Sequence, residues 1–246
     1  MSNIAFIAAR MGSERMPGKV LSELAGIPAL VHIFNIMKQA RLVDDFIVVT
    51  TVLKEDDDIE KICIKNSVKV LRGSVHDVLD RFRLASEKFK PQRIVRVTGD
   101  DPLMDPEIID KVITAHTEGN YDYTSNMIER TYPRGMDTEV IEYSALKKTW
   151  RSTNDKDDHE HVTLYIRRNP QLFKSCSVVN DNERSDDLRL CLDTQKDLEL
   201  MEIIYKNLYK GRVIKLDEVI NFLNANPRLK EINSDIQQKT VKGKVY

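Results

Sequence analysis

Short apolar runs alternate with longer charged segments of helical period through the first hundred residues, and this alternation constrains the fold more than any other feature of the chain. "IAFIAA", "DFIVVTT", "VKVLRG" and "RIVRVTG" have the length and composition of strands. Between them "PALVHIFNIMKQARL", "EDDDIEKICIKN" and "DVLDRFRLASEKF" repeat apolar residues at helical spacing. The order is β-α-β-α-β-α-β. Each crossover helix must return over a face of the sheet, so the expected fold is α/β, a mostly parallel sheet with helices on both faces. In open sheets of this kind ligands collect at the carboxyl ends of the strands. Three loops lie there, "ARMGSERMPGK", "LRGSVHDV" and "TGDDPLMDP", after the first, third and fourth strands.

From Tyr121 the pattern loosens. "YDYTSN", "TYPRGMDTEVIEY" and "SCSVVND" read as strands joined irregularly, with helices "SALKKTWRST" and "HEHVTLYIRRNP" between them. "LRLCLDTQKDLELMEIIYKNLY" returns to strand, turn and helix, and "LDEVINFLNANPRLKEIN" reads as a helix with Pro227 in a loop near its end. No repeat interrupts this order, and only the last ten or so residues look dispensable. A length of 246 residues fits one domain over 1–246, with 121–180 as a smaller appendage within it.

Lysine and arginine number 38 against 39 acidic residues, a net charge of −1, which argues against broad binding to nucleic acid or to an anionic membrane. Any cationic site must be local. Cys63, Cys176 and Cys191 are odd in number, far apart and without CxxC spacing, so free thiols in a reducing cytoplasm are expected. The stretch Ile4 to Ala9 is too short for a signal peptide, and no run approaches the ~20 apolar residues of a membrane span. A soluble cytoplasmic protein is the expectation.

The loop after the first strand carries Arg10, Gly12, Ser13, Arg15, Gly18 and Lys19. A glycine-containing turn between strand and helix aims backbone N–H groups at an anion, and arginine adds bidentate geometry for phosphate oxygens. A polyphosphate suits it; a solvated basic turn is the plainer alternative. Five residues separate Gly12 from Gly18 and Val20 follows Lys19, so this is not a Walker loop, and GxGxxG is absent. In "VRVTGDDPLMDP", Asp100 and Asp101 end an apolar strand, while Asp105 holds the capping position of the next helix. Hard oxygen donors beside a phosphate loop suit Mg²⁺, which takes one or two carboxylates plus substrate phosphates. Asp193, at the end of "LRLCLD", is either a second such carboxylate or an N-cap with Thr194.

"IAARMGSERMPGKVL", "VLRGSVHDVLDRF", "VRVTGDDPLMDP", "YPRGMDTEV", "EHVTLYIRRNP" and "LRLCLDTQKDLEL" together resemble the cytidylyltransferases of spore coat polysaccharide biosynthesis, relatives of the CMP-sialic acid, CMP-pseudaminic acid and CMP-KDO synthetases. The similarity runs in order from about Ile4 to Asn233. It implies a three-layer, Rossmann-like nucleotide-diphosphosugar transferase fold, transfer of CMP from CTP with release of pyrophosphate, and a homodimer built through 121–180. By this resemblance Ala8, Arg10, Gly12, Ser13, Arg15 and Lys19 match the CTP-phosphate loop, and Asp100 and Asp193 the Mg²⁺ ligands. Arg72, Asp77 and Arg81 fall in a segment that lies near the nucleotide in relatives. Tyr132, Arg134, Asp137, Glu139, Glu160 and His161 fall where relatives bind the acceptor and build the dimer. Close members tend to have proline where this chain has Leu164, and the sialic acid enzymes lack the EHVT segment.

The reaction so implied needs positioning and charge stabilisation rather than a serine-histidine triad. Arg15 and Lys19 would neutralise the departing β- and γ-phosphates, with Arg10 and Mg²⁺ at the α-phosphate. Cations near Arg134 favour an anionic acceptor. A uridylyl or guanylyl transferase, and a nucleotide sensor without turnover, are the alternatives. HEH spacing puts His159 and His161 about 200° apart on a helix, so a shared metal is not expected. His161 is expected at the acceptor or an interface, His159 in solvent, Trp150 in the core or an interface, and the acidic run Glu55 to Asp58 at a helix start.

Overall fold

Strand β1 (Asn3–Ala8) lies inside a seven-stranded sheet in the computed structural model, which describes residues 2–180 and 185–238. The expected alternation follows: α1 (Ala29–Met37), β4 (Asp45–Thr51), α2 (Asp57–Lys65), β5 (Lys69–Gly73), α3 (Val78–Phe89) and β6 (Arg93–Thr98). A two-stranded hairpin, β2 (Glu23–Leu24) with β3 (Ile27–Pro28), precedes α1. The second half holds α4 (Pro106–Gly119), β7 (Tyr123–Ser125), β8 (Glu139–Glu142), α5 (Tyr143–Ser152), α6 (Lys156–Glu160), α7 (Leu164–Arg168), β9 (Ser175–Ser177), α8 (Gln195–Leu208) and α9 (Leu216–Ala225).

The sheet order is β5-β4-β1-β6-β8-β7-β9, with β8 antiparallel to both neighbours and every other pair parallel. Every β1 residue from Ile4 to Ile7 is buried because both faces of the sheet are covered. Ala5 and Ile7 pack with Ile33 and Phe34 of α1, Ile59 of α2 and Ile109 of α4. Ile4 and Phe6 face Leu79 and Phe82 of α3 and Leu146 of α5. A third apolar cluster joins Leu188, Leu190 and Leu192 to α8 and α9. The chain runs outward from β1 to β4 and β5, then returns to set β6 on the other side of β1. The loops after β1 and β6 therefore leave in different directions and open a crevice at the carboxyl edge. Among the described residues no helix is long and apolar enough to cross a membrane, and the three cysteines are unpaired.

Three expectations of local structure need correction. "LRLCLD" forms no strand; its pairing is one isolated bridge, Arg134 with Arg189. The two segments are pressed together at Gly135, whose φ is +100° and whose added Cβ would lie 2.2 Å from the Leu190 carbonyl oxygen. "HEHVTLYIRRNP" is not one helix either. It is split between α6 and α7 at Val162, a fully buried residue with φ of +45°, a region disfavoured for a β-branched side chain. The tail helix gives way after Ala225 to a 3₁₀ turn, Pro227–Glu231, as Pro227 requires. Gly135→Ala, which adds a side chain to both the disfavoured φ and the contact, is expected to cost about 3 kcal/mol and lower Tm by roughly 6–12 °C in calorimetry.

Candidate active site

The loop after β1 closes on its own backbone: the Ser13 and Gly18 N–H groups both donate to the Met11 carbonyl, at 2.8 and 2.9 Å, and Gly18 supplies the left-handed turn at φ +76°. It is anchored from beneath by Asp56, a fully buried carboxylate that accepts from the Met11 N–H at 2.7 Å, the Thr51 N–H at 3.2 Å and the Thr51 hydroxyl. The run Glu55 to Asp58 does lead into α2, but its second member faces inward and holds the loop. Composition gives no sign of which of the four is buried. Gly12 stands on the exposed crest beside Glu55.

Lys19 crosses the crevice. Its ammonium donates to Asp100 Oδ2 and, at 2.5 Å, to Asp193 Oδ1, while Arg15 and Arg189 donate to Asp193 Oδ2 at 2.8 and 2.7 Å. Burial alone would lower the Lys19 pKa; the two carboxylates outweigh it and hold the ammonium well above its ordinary value. Burial would raise Asp193, but Lys19, Arg15 and Arg189 bring it down to about 2. Asp193 reaches this place without a strand, because the Leu192 N–H donates to the Asp100 carbonyl at 2.8 Å. The cap of α8 is Thr194, in a capping box with Asp197, so the Asp193 side chain is left for the crevice. Asp101 turns away to the Thr98 hydroxyl and is 4% exposed; burial beside Asp100 and Asp137 holds its pKa well above the usual carboxylate range.

Two adjoining cavities share Asp100, Asp193, Arg15 and His161 in their walls. One, of about 330 Å³, is lined by Ala8, Arg10, Ser13, Arg15, Lys19 and Arg81. The other, of about 410 Å³, is lined by Arg134, Asp137 and Glu160, and by Arg96 and Arg167, two cations that sequence reasoning passed over. Asp137 is held in a two-pronged pair by Arg130 at 2.7 and 3.0 Å. Burial, reinforced by Arg96 and Arg167, lowers the His161 pKa despite Glu160 nearby.

Several expected site residues lie elsewhere. Arg72 is taken up by Asp57 and Glu60, both at 2.7 Å, and by the Thr51 and Leu53 carbonyls. Asp77 caps α3 and binds His159 Nδ1 at 2.7 Å. His159 is therefore not in solvent: its other nitrogen meets the Thr153 carbonyl at 3.1 Å, and it pins α6 to α3. Tyr132 is 4% exposed and packs with Met136 and Leu188, outside both cavities. Glu139, 1% exposed, accepts from Arg96, from the Tyr123 hydroxyl at 2.6 Å and from the Thr163 hydroxyl at 2.6 Å. It braces β8 against β6 and has no face left for a ligand. Trp150 is not core; it is 37% exposed under the Arg83 guanidinium, 4.7 Å away. The tail is engaged as far as it is described: Gln238 accepts from Arg189 at 2.8 Å, and the rest of the dispensable stretch lies outside the described residues.

A cation-bearing loop facing paired carboxylates at the carboxyl edge of a parallel sheet is the arrangement of a nucleotidyltransferase-type enzyme. The model of a cytidylyltransferase family matches residues 4–220, and the chain belongs to that family. It is 38% identical over 234 residues to the spore coat polysaccharide biosynthesis protein SpsF of Bacillus subtilis, covering 92% of this chain and 96% of that one. It is also 39% identical over 243 residues to an uncharacterized protein of Methanocaldococcus jannaschii, covering 98% of both. Among solved structures, a cytidylyltransferase from Leptospira borgpetersenii superposes with a TM-score of 0.89 at 28% identity, covering 98% of this chain and all of that one.

Proposed function

We propose that the chain transfers the cytidylyl group of CTP to an anionic sugar or phosphorylated acceptor, with release of pyrophosphate, in the synthesis of a surface polysaccharide or glycoconjugate. The observation that carries this reading is the Lys19 ammonium held by Asp100 and Asp193, two carboxylates in the wall common to two cavities, one lined by Arg10 and Lys19 and the other by Arg134 and Arg167. The similarity to a spore coat polysaccharide biosynthesis protein supports the assignment to glycan synthesis.

An acceptor oxygen forms the new bond to the α-phosphorus while the bond to the pyrophosphate oxygen breaks in line with it. Arg15 and Lys19 neutralise the charge gathering on the β- and γ-phosphates, and Arg10 the charge on the α-phosphate. Arg134 holds the acceptor's anionic group; its side chain is half-buried at the mouth of the second cavity. The donor set suits a divalent cation of the Mg²⁺ type, which the two hard carboxylates Asp100 and Asp193 would hold. Bound there, the cation would supply positive charge against the negative charge that grows at the α-phosphate.

In this reading the protein works in the cytoplasm as a homodimer, joined through 121–180, whose surface exposes Ile128, Trp150 and Leu172. Light scattering is expected to give twice the 28.4 kDa chain mass; a monomer at every concentration would refute the dimer. Pyrophosphate release tests the chemistry. At saturating CTP, Asp193→Ala is expected to lower it about 10²–10³-fold, with only the weaker, metal-independent CTP binding of the loop retained, whereas unaltered turnover would remove Asp193 from the site.

A further inference from the structure

Arg189 is 7% exposed, and each nitrogen of its guanidinium donates to a different residue. Nε meets Asp197 Oδ1 at 2.9 Å, Nη1 meets Gln238 Oε1 at 2.8 Å and Nη2 meets Asp193 Oδ2 at 2.7 Å. A guanidinium is a rigid planar fork, so two fixed acceptors set both its plane and its rotation. Asp197 and Gln238 are those two, and they leave Nη2 aimed at Asp193. Without Gln238 the fork would be free to turn both Nη groups onto Asp193 and cover both oxygens of the carboxylate.

Asp197, 1% exposed, works on Asp193 from a second side. Its Oδ2 accepts from the Asp193 and Thr194 N–H groups at 3.2 and 2.9 Å, while its Oδ1 accepts from Arg189 and from the Asn233 amide at 2.8 Å. One carboxylate thus ties the backbone of Asp193 to the guanidinium that holds its side chain. Asn233, 4% exposed, gives its second amide hydrogen to the Arg189 carbonyl at 3.0 Å. Between Asn233 and Gln238 the chain is pinned by the pair Lys196 with Asp235 at 2.6 Å and by the Ile236 N–H on the Asn233 carbonyl at 3.1 Å. Both residues lie past residue 220, where the match to the family ends, and Gln238 falls in the stretch that looks dispensable in sequence.

We propose that Asn233 and Gln238 are positioning residues for Asp193: acting through Asp197 and Arg189, they hold its carboxylate in the setting that receives the divalent cation. The inference rests on the nucleotidyl-transfer reading above and gives the C-terminal segment a part in it. Partners that orient a metal ligand are worth roughly ten- to a hundredfold in metal affinity. A segment far from the phosphate loop therefore sets how strongly metal and nucleotide help each other to bind.

Calorimetric titration of CTP, once with Mg²⁺ and once with EDTA in its place, tests this on the full chain and on Gln238→Met, Gln238→Glu and Asn233→Ala. In the unaltered protein Mg²⁺ is expected to tighten CTP binding by roughly tenfold or more. Gln238→Met, which has no oxygen for Arg189, and Asn233→Ala are expected to bring that gain close to one while CTP binding in EDTA stays as it was. Gln238→Glu keeps an oxygen for Arg189 and is expected to keep the gain. Gln238 is half-buried and outside the apolar clusters, so its variants remain informative if Asn233→Ala folds poorly. A full Mg²⁺ gain in Gln238→Met would overturn the proposal, as would its loss in Gln238→Glu. An equal fall in CTP affinity with and without Mg²⁺ would also overturn it, making the segment a strap for the fold alone. An unaltered protein in which Mg²⁺ brings no gain would overturn the metal reading of Asp100 and Asp193 itself, and this inference with it.

Discussion

One ammonium group holds the site together. Lys19, Asp100 and Asp193 come from the first loop, the end of β6 and the approach to α8, and their side chains are only 11%, 25% and 14% exposed. Two carboxylates packed this closely would repel without a cation between them. Removing one partner of such a partly buried set leaves uncompensated charge, a loss of about 3–5 kcal/mol where burial is complete and less here. The three segments are therefore locked to one another by the same charges that can receive a metal and a polyphosphate.

Each member of the set is held by a second layer of buried polar contacts. Asp56 fixes the loop that carries Lys19, through the Met11 N–H. Arg189 grips Asp193 and is itself gripped by Asp197 at 2.9 Å and Gln238 at 2.8 Å, while Asn233 ties Asp197 to the Arg189 backbone carbonyl. Such support holds the side chains of the crevice in fixed positions. At the second cavity the Glu139 network does the same for Arg96, and the His159 pin for the short helix that ends in Glu160. Residues that resemblance places at the acceptor thus divide into two kinds. Arg134, Asp137, Glu160 and His161 line the cavity, while Glu139 and Tyr132 are framework.

The parallel half of the sheet was legible because hydrophobic periodicity is a local signal, and strands covered on both faces read as unbroken apolar runs such as "IAFIAA". The cation-bearing loop after β1 and the place of Asp100 were legible for the same reason: both follow such runs directly. Asp193 was found through a strand that does not exist; the apolar alternation of "LRLCLD" comes from packing against α8 and α9, and a single bridge between Arg134 and Arg189 replaces a ladder. Asp56, Arg96 and Arg189 were hidden because nothing in a sequence distinguishes an inward charge from a solvated one until its partner, 45 residues away for Asp56 and 43 for Arg96, is known. Arg72 was hidden in the opposite sense. It stands next to a cavity-forming loop but spends its donors on its own chain.

The central claim is that Asp100 and Asp193 form the metal half of a nucleotide site whose other half is the loop after β1. Calorimetric titration of CTP with and without Mg²⁺, on the unaltered chain and on Asp193→Asn, tests it most directly. Mg²⁺ should tighten CTP binding to the unaltered protein by roughly tenfold or more, and the variant should lose that gain while keeping weak, metal-independent binding through the loop. An equal gain in both proteins, or none in the unaltered one, would contradict the account.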